Sequence, residues 1–418
     1  MTLSRRRRLL TVSHSYCVEL NRRLAQELAA TGEWQVTAVG PERFHGDFGW
    51  HTFEAHGAEA CTVAPIAVHF SRRVHLMLYG RRLAHLLREP WDLVHCWEEP
   101  YVAAAAQVAC ATPREVPLVF ATFQNIAKRY PPPFRWIERY TLARAAGLIA
   151  FGRTSFDVAV TRTPERMPLR VIAPGVDVAR FRPDRDGRAR LLREYGWSDG
   201  APVVGFLGRF VEEKGCLLLA AALDRLEIPW RALFVGAGPL EPNLRAWSAR
   251  HGERVRLETA VAHADVPMYL SAMDLLCAPS QTTATWREQF GRMLIEAFAC
   301  GVPVVASDSG EIPHVVADAG LVVGEQDVPA WTEAIARLMS SPALRAELAR
   351  RGRQRAESFF AWPVVARQHV EFFEEILAVH ARPVAELAQP AGSNTANPDV
   401  IGRHAGDKDS RLASVRDR

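Results

Sequence analysis

The sequence predicts an α/β protein built from two doubly wound parallel sheets in series. Short runs of β-branched and aliphatic residues alternate with longer helical patterns along most of the chain, which is typical of βαβ units. The chain has 418 residues, which suits two or three domains. With 48% hydrophobic and 23% charged residues, it has the composition of a globular protein that buries large cores.

Thirteen short apolar runs are predicted to be strands, and helical patterns fill the intervals between them. The strands of the N-terminal half are expected at residues 9–13, 35–39, 60–63, 92–97, 118–122, 147–151 and 170–173. Those of the C-terminal half are expected at 203–207, 232–235, 255–258, 275–278, 303–307 and 321–323. The clearest helical patterns cover residues 18–30, 329–340, 341–358 and 362–380.

The joint between the two sheets is expected near residues 174–183, PGVDVARFRP. This divides the chain into domains at 1–173 and 174–361, followed by a helix at 362–384 that packs back on the joint. Residues 385–418 are rich in Pro, Gly, Ser, Asn and Asp and are predicted to be a disordered tail. Two adjacent sheets of this kind place the carboxyl ends of their strands across one cleft, where ligands bind.

Composition excludes several classes of protein. The chain carries 51 basic and 47 acidic residues, a net charge of +4, which is too mild to indicate a nucleic-acid partner. Its seven cysteines are scattered without a C-x-x-C pair, which argues against a disulfide framework and a zinc site. No apolar run approaches the ~18 residues of a spanning helix. The apolar run after Arg5–Arg8 is too short for a signal peptide, so a cytoplasmic location is expected.

The first chemical cluster is GRFVEEKG at residues 208–215, directly after a predicted strand. Arg209 and Lys214 stand five residues apart in a glycine turn, which suits a diphosphate held by a guanidinium fork and a point charge. Lys214 is one of only three lysines in an arginine-rich chain. The alternative is that both cations are solvated loop residues.

The second cluster covers residues 286–301 and is helical from about Gly291. The free N–H groups at the start of this helix, near residues 290–293, are expected to form an anion site. Glu288 would lie in the preceding loop and Glu296 one to two turns into the helix. Carboxylates beside a phosphate site are explained if they accept hydrogen bonds from sugar and ribose hydroxyls. The alternative is that Glu296 is an ordinary surface residue of the helix.

Four motifs in order carry a family resemblance: GRFVEEKG (208–215), VGAGPLEP (235–242), E-x7-E from Glu288 to Glu296, and GVPVVASDSGEIP (301–313). Together with the linker PGVDVARFRP, they resemble the retaining family 4 glycosyltransferases of GT-B fold. The resemblance covers about residues 8–384 and is strongest in the C-terminal half.

The resemblance implies a role for each matching position. Arg209 and Lys214 would hold the donor diphosphate, Glu288 the transferred sugar and Glu296 the ribose hydroxyls. The other donor-binding positions would be Gly208, Gly236, Gly238, Phe290, Gly291 and Arg292. The family implies transfer of a hexose from a nucleotide-diphosphate sugar to a sugar, lipid-linked or small-molecule acceptor, in polysaccharide or glycoconjugate synthesis. It implies retention of anomeric configuration and no metal or other cofactor. A GT-B sugar-nucleotide 2-epimerase, a glycoside phosphorylase and a non-catalytic binding module remain open.

The N-terminal domain is expected to bind the acceptor, although it departs from the common family pattern. Residues 13–17, SHSYC, replace a Gly-Gly loop, and Gln124-Asn125 replaces a histidine, so no general-base histidine is expected there. Glu98 and Glu99 follow a predicted strand. The predicted acceptor-binding residues are His14, Glu98, Glu99, Gln124, Asn125 and Lys128. Helix capping, packing and surface charge are the alternatives.

Three further patterns need an interpretation. Residues 69–88 are predicted to form a basic amphipathic helix, which either packs on the core or contacts an anionic membrane, consistent with a lipid-linked acceptor. Gly236-Ala237-Gly238 lacks the third glycine of a dinucleotide-binding loop, because Glu241 stands at that position. Asp184-Arg185-Asp186 has the D-x-D form of a metal–diphosphate site but is interpreted as a solvated surface loop.

Overall fold

A computed structural model describes residues 5–46, 49–54, 59–197 and 199–381. The part of the chain up to His380 forms one compact unit. The predicted disordered tail at 385–418 lies outside the described residues, as does the end of the predicted 362–384 segment.

The N-terminal half contains a sheet of seven parallel strands in the order β11-β10-β9-β8-β1-β2-β5. Two short antiparallel hairpins, β3–β4 and β6–β7, stand outside it. The strands are β1 Arg7–Val12, β2 Trp34–Pro41, β3 Arg43–Gly46, β4 Gly49–Thr52, β5 Thr62–Ile66, β6 Val68–His69, β7 Leu78–Tyr79, β8 Leu93–Cys96, β9 Leu118–Thr122, β10 Gly147–Ala150 and β11 Leu169–Val171.

The C-terminal half contains a sheet of six parallel strands in the order β14-β13-β12-β15-β16-β17. Its strands are β12 Val203–Leu207, β13 Arg231–Val235, β14 Val255–Glu258, β15 Leu275–Ala278, β16 Val304–Ser307 and β17 Gly320–Val323. Most of their side chains are buried, because helices cover both faces of the sheet.

Helices connect the strands and cover the sheets. They are α1 Arg23–Ala30, α2 Arg82–Leu87, α3 Ala103–Ala111, α4 Phe134–Arg144, α5 Arg153–Val160, α6 Arg185–Glu194, α7 Cys216–Leu223, α8 Glu241–Ala249, α9 Val266–Ser271, α10 Arg292–Ala299, α11 Ile312–Val316, α12 Val328–Ser340, α13 Pro342–Arg355 and α14 Trp362–His380. In the described ranges, no helix is long and apolar enough to cross a membrane.

All thirteen predicted strands are present, and both sheets are parallel as predicted. The helix predicted at 18–30 is regular only from Arg23, because residues 19–22 form a 3₁₀ turn. The helix predicted at 341–358 ends at Arg355 and continues as a π-turn at Ala356–Phe360. The hairpins β3–β4 and β6–β7 were not predicted, because their short strands lack a continuous apolar run.

The prediction of one amphipathic helix over residues 69–88 is wrong. This segment is divided among β6, a 3₁₀ turn at Val74–Leu76, β7 and the short α2. Gly80 interrupts the pattern, and its N–H donates to the Ala67 carbonyl at 2.8 Å. Met77 and Leu83 are buried in the core of the N-terminal half, which explains the apolar periodicity without a continuous helix. Phe70 points outward and is 69% exposed.

The last helix, α14, returns from the C-terminal half and packs on the N-terminal sheet. Its apolar side chains, including Val370, Phe373 and Ile376, join the core that contains Leu9 and Trp34. The prediction placed this helix at the joint. Only its start lies there, where Trp362 packs so closely on Gly175 that a Cβ atom at 175 would lie 2.4 Å from the indole.

Two buried histidines meet where α14 packs on the N-terminal sheet. His369 on α14 and His95 on β8 are fully buried, with their rings 5.7 Å apart. Neither Nε2 atom has a hydrogen-bond partner in the part of the chain that the structure describes. Burial lowers the pKa of His369 to about 4 and lowers the pKa of His95 well below 6.5. Both rings are therefore neutral in the folded protein near pH 7.

We expect the contribution of these two histidines to the free energy of unfolding to fall as the pH drops from about 6.5 towards 4. In this window the unfolded chain protonates these histidines while the folded chain does not, so acid favours unfolding. For His369 the difference in pKa corresponds to about 3 kcal/mol. Urea unfolding of wild type and His369→Leu at pH 7 and pH 5 measures the effect. The variant should lose less stability between the two pH values than wild type. The exposed control His85→Gln should behave as wild type, and equal slopes for all three proteins would contradict the prediction.

Candidate active site at the two sheet switch points

Each sheet has one point where the strand order reverses: between β1 and β8 in the N-terminal half, and between β12 and β15 in the C-terminal half. In parallel α/β sheets, ligands bind beyond the carboxyl ends of the strands at such a point. A basic side chain and a carboxylate meet at both. His14 and Glu98 pair after β1 and β8, and Lys214 and Glu288 pair after β12 and β15.

The loop after β12 is held by close backbone packing that only glycine permits. Gly215 has φ +66°, and a Cβ atom there would lie 1.9 Å from the Pro279 carbonyl oxygen. Gly236 and Gly238 have the same role on the neighbouring loop, where a Cβ atom would meet the carbonyl oxygen of Gly208 or Phe210. The predicted glycines therefore shape the loop that carries Arg209 and Lys214.

Lys214 and Glu288 form a mostly buried ion pair. The Lys214 Nζ lies 2.5 Å from Glu288 Oε2, which also accepts a hydrogen bond from Ser280 Oγ at 2.8 Å. The lysine ammonium lies 5.0 Å from the centre of the Trp286 ring. The structure thus brings together two residues that the sequence predicted for the same site, and it adds Ser280 to them.

Glu296 lies in a cleft between the two halves, in a cavity of about 120 Å³. Its carboxylate is largely buried and lies 3.7 Å from His263 Nε2, while Arg292 lines the same cavity. The N-terminal half contributes Glu19, Arg23 and Gln26. The prediction did not include His263, although its position just after β14, at a strand's carboxyl end, was an available signal.

The helix predicted to begin at Gly291 is α10, which starts at Arg292. Gly291 has φ +82° and lets the chain turn into the helix. Phe290 is buried against Phe360, with ring centres 5.8 Å apart, so it anchors this turn through its side chain. The first N–H groups of α10 have no partner inside the helix, as in any helix.

At the N-terminal switch point, Glu98 holds the loop after β1. Its carboxylate accepts hydrogen bonds from the His14 backbone N–H and the His14 Nδ1, both at 2.6 Å, and from the Tyr79 hydroxyl at 3.0 Å. Burial opposes the protonation of His14, but the charge and the hydrogen bond of Glu98, together with the charge of Glu99, outweigh burial and raise the pKa of His14 above 6.5. Glu98 is itself buried, so its oxygens are turned to the protein and not to an acceptor.

Glu99 supports the loop after β9. One carboxylate oxygen accepts from the Phe123 N–H at 2.6 Å and the other from Thr122 Oγ1 at 2.8 Å. Burial raises the pKa of Glu99 to about 7, although these two hydrogen bonds act in the opposite direction. Direct acceptor binding was predicted for Glu99. The geometry instead gives it a role in holding the segment that carries Gln124 and Asn125.

Gln124, Asn125 and Lys128 have three different environments. The Gln124 amide donates to the Tyr130 hydroxyl at 2.8 Å, and Asn125 is buried with its Nδ2 donating to the Glu288 carbonyl oxygen at 2.9 Å. Asn125 therefore joins the two halves at the candidate site and does not face an open acceptor pocket. The Lys128 side chain is exposed.

A cavity of about 600 Å³ beside the N-terminal switch point was not predicted. His14 and Ser15 line it, together with His45, His51 and Arg72, which we call the histidine wall. Histidines on the β3–β4 hairpin were not predicted because the hairpin itself was not. Arg72 lies in the 69–88 segment, whose structure was predicted wrongly. No sequence pattern indicated that the other residues of this wall would line a cavity.

The Asp184-Arg185-Asp186 segment lies at the surface as predicted, with Arg185 and Asp186 exposed, but it begins a helix and is not a loop. Asp184 caps α6, accepting a hydrogen bond from the Gly187 N–H at 2.9 Å. Within the residues that the structure describes, no group of three or more His, Cys, Asp or Glu side chains could hold a metal ion.

Two Rossmann-like halves in series, each with a parallel sheet and one switch point, are the architecture of the GT-B class. Residues 19–180 match the family model described as Glycosyltransferase Family 4, and residues 188–355 match the one described as Glycosyl transferases group 1. The chain therefore belongs to the family 4 glycosyltransferases.

Curated relatives include two glycosyltransferases. The chain is 36% identical to the GDP-mannose-dependent alpha-(1-6)-phosphatidylinositol monomannoside mannosyltransferase of Mycolicibacterium smegmatis, over 54% of this chain and 58% of that protein. It is 31% identical to the D-inositol 3-phosphate glycosyltransferase of Salinispora tropica, over 60% of this chain and 55% of that protein. The matched region thus spans little more than half the length of these relatives.

Solved structures share the fold at low sequence identity. Sucrose-phosphate synthase from Thermosynechococcus elongatus matches 90% of this chain and 100% of that one, with a TM-score of 0.68 and 21% identity. The Anabaena protein HepE in complex with UDP matches 88% of this chain and 100% of that one, with a TM-score of 0.68 and 19% identity. These similarities confirm the predicted GT-B fold.

Proposed function

We propose that this protein transfers a hexose from a nucleotide-diphosphate sugar to a phosphate-bearing sugar or polyol, free or lipid-linked. The observation that carries the proposal is the Lys214–Glu288 pair at the C-terminal switch point, in a loop that close glycine packing shapes. Lys214 with Arg209 supplies positive charge for a diphosphate, and Glu288 supplies an acceptor for sugar hydroxyls. The match to family 4 models over both halves supports the same activity.

The proposed reaction keeps the anomeric configuration and uses no metal. The bond from the anomeric carbon to the diphosphate oxygen breaks, and the acceptor oxygen bonds to that carbon. The acceptor proton passes to the departing phosphate oxygen. Lys214 and Arg209 stabilise the negative charge that develops on the diphosphate, the role that a metal ion has in other transferases. Glu296 would accept hydrogen bonds from the ribose in the interhalf cleft.

The 600 Å³ cavity is the proposed acceptor site. Arg72 supplies a positive charge in its lining, and the ring nitrogens of His14, His45 and His51 are further hydrogen-bond donors suited to a phosphate group. The curated relatives support this class of acceptor, since one is a D-inositol 3-phosphate glycosyltransferase and another acts on a phosphatidylinositol mannoside.

A peripheral membrane contact is proposed beside this cavity. Trp50 is 49% exposed and Phe70 69% exposed, and Arg43 and Arg72 lie 5.1 and 5.9 Å from the Trp50 ring. Exposed aromatics among arginines suit the headgroup region of an anionic membrane on the cytoplasmic side. This surface replaces the predicted amphipathic helix as the candidate contact.

The test begins with the thermal stability of the protein in UDP, GDP, ADP and dTDP. A ligand at 100 times its dissociation constant adds about 2.7 kcal/mol of stability. The matching sugar nucleotides are then assayed with inositol 3-phosphate, with unphosphorylated inositol and with phosphatidylinositol in vesicles. We expect transfer to a phosphorylated acceptor, and a KM for it that rises about tenfold in Arg72→Ala. The KM for any unphosphorylated acceptor should be unchanged.

Other outcomes would contradict the proposal in distinct ways. Conversion of the sugar nucleotide without any acceptor would indicate an epimerase. Sugar transfer to or from free phosphate without a nucleotide would indicate a phosphorylase. Equal use of inositol and inositol 3-phosphate would leave the transferase activity intact but overturn the phosphate-bearing acceptor.

A further inference from the structure

A carboxylate of the C-terminal half caps a helix of the N-terminal half. Glu311, just before α11, is 4% exposed. One of its oxygens accepts from the Arg153 N–H at 2.7 Å, and the other from the Thr154 N–H at 2.8 Å and Thr154 Oγ1 at 2.6 Å. These N–H groups are the first of α5. A negative charge at that end of a helix is favourable, because the helix dipole is positive there.

The helix is built to receive this carboxylate from outside. Gly152 precedes α5 at the position where Ser, Thr, Asp or Asn usually supplies a cap, but glycine has no side chain to do so. A Cβ atom at 152 would lie 2.4 Å from Glu311 Cδ. The backbone at Gly152 is extended (φ −168°), a conformation open to any residue. Space for Glu311, not backbone freedom, therefore explains this glycine.

The same residue also holds the peptide of Glu288. The Glu311 N–H donates to the Glu288 carbonyl oxygen at 3.1 Å, and Asn125 Nδ2 of the N-terminal half donates to that oxygen at 2.9 Å. Gly310, with φ +55°, lets the two segments touch, since a Cβ atom there would lie 2.0 Å from the same oxygen. One group from each half thus fixes the backbone of the residue whose carboxylate meets Lys214.

We propose that Glu311 is a positioning residue for the transfer reaction. Its carboxylate binds the start of α5 and so joins this helix to the C-terminal half. Its backbone N–H at the same time holds the carbonyl group of Glu288. We call the contact of Glu311 with Gly152, Arg153 and Thr154 the Glu311 clasp. The clasp keeps the two halves closed over the switch point and orients the Glu288 carboxylate towards the donor. The orientation of Glu288 for sugar transfer rests on the function proposed above. The joining of the two halves by Glu311 does not depend on that function.

The test uses Glu311→Gln and Gly152→Ala in the full chain. Glu311→Gln removes the negative charge of the side chain. Gly152→Ala leaves residue 311 unchanged, but its new methyl group occupies the space of the Glu311 carboxylate. The matched control is Asp327→Ala, which removes a cap wholly inside the C-terminal half, where Asp327 accepts from the Ala330 N–H at 3.0 Å. Amide hydrogen exchange, small-angle X-ray scattering and steady-state kinetics are measured on each protein.

We expect both clasp variants to exchange about tenfold faster at the start of α5 and in residues 286–289. Their radius of gyration should increase, and kcat should fall about tenfold with a smaller change in the donor KM. Asp327→Ala should change exchange only at the start of α12. Faster exchange confined to α5, with scattering and kcat as in wild type, would show a local cap and overturn the proposal. If wild type transfers no sugar, exchange and scattering still decide whether the clasp holds the halves together.

Discussion

Replacing Lys214 by alanine should lower kcat by about 10²–10³-fold while the protein remains folded. The ammonium is the point charge beside the proposed diphosphate site, and it is also the partner of the buried Glu288 carboxylate at 2.5 Å. Its stabilisation matters most when the diphosphate departs and gains charge. Therefore kcat and kcat/KM should fall together, because the lost interaction belongs to the transition state.

The measurement is steady-state kinetics with the donor found by thermal shift, together with far-UV circular dichroism of each variant. Lys214→Arg should recover part of the rate, because it keeps the charge but not the compact geometry. Arg250→Ala is the matched control, since it removes a 64% exposed cation that pairs with Asp224 away from the site. If Lys214→Ala transfers sugar at a near-normal rate, Lys214 does not stabilise the donor diphosphate and this assignment is wrong.

Replacing Arg22 should produce the largest loss of stability among the described charged residues. Arg22 is fully buried and binds Glu59 through two nitrogens, at 2.6 and 3.0 Å. It also donates to the Tyr16 carbonyl oxygen at 2.6 Å and to that of Glu54. Arg22→Ala removes the charged partner of a buried carboxylate and one donor to each of two carbonyl groups, which costs about 3–5 kcal/mol.

Urea unfolding at pH 7 measures this loss. Arg22→Lys should recover little of it, because a lysine cannot reproduce the two-nitrogen contact with Glu59. Arg350→Ala is the control, since its 62% exposed side chain pairs with Glu347 on the surface, where solvent screens the ion pair, so its stability should stay close to that of wild type. A loss below about 1 kcal/mol for Arg22→Ala would show that the buried network contributes no net stability. Because Arg22 holds the Tyr16 carbonyl, the same variant should also loosen the loop after β1.

The sequence was most informative where one segment carries both the fold and the chemistry. Strands buried on two faces appear as continuous apolar runs, so all thirteen were predicted. The loop that carries Arg209 and Lys214 follows one of these strands, and Glu288 lies in the loop before a predicted helix. The order of the elements therefore placed these residues at one edge of the sheet.

The sequence was least informative where two different structures produce the same pattern of apolar residues. The periodicity of residues 69–88 arises because Met77 and Leu83 pack in the core from separate short elements, and a continuous helix would give a similar pattern. The β3–β4 hairpin carries no comparable apolar run, so the histidine wall of the large cavity was not expected.

By itself, the sequence determined the two parallel sheets, the family and the charged residues at the C-terminal switch point. Only the tertiary structure decided which group each buried carboxylate meets. Glu98 bonds to a residue 84 positions away and Glu311 to one 158 positions away, while Asn125 reaches a carbonyl 163 positions away. A carboxylate at the end of a strand looks the same in sequence whether it faces a substrate or a distant backbone N–H. The role of such a carboxylate depends on which donor offsets the free-energy cost of removing it from water. That donor comes close to the carboxylate only when the chain folds.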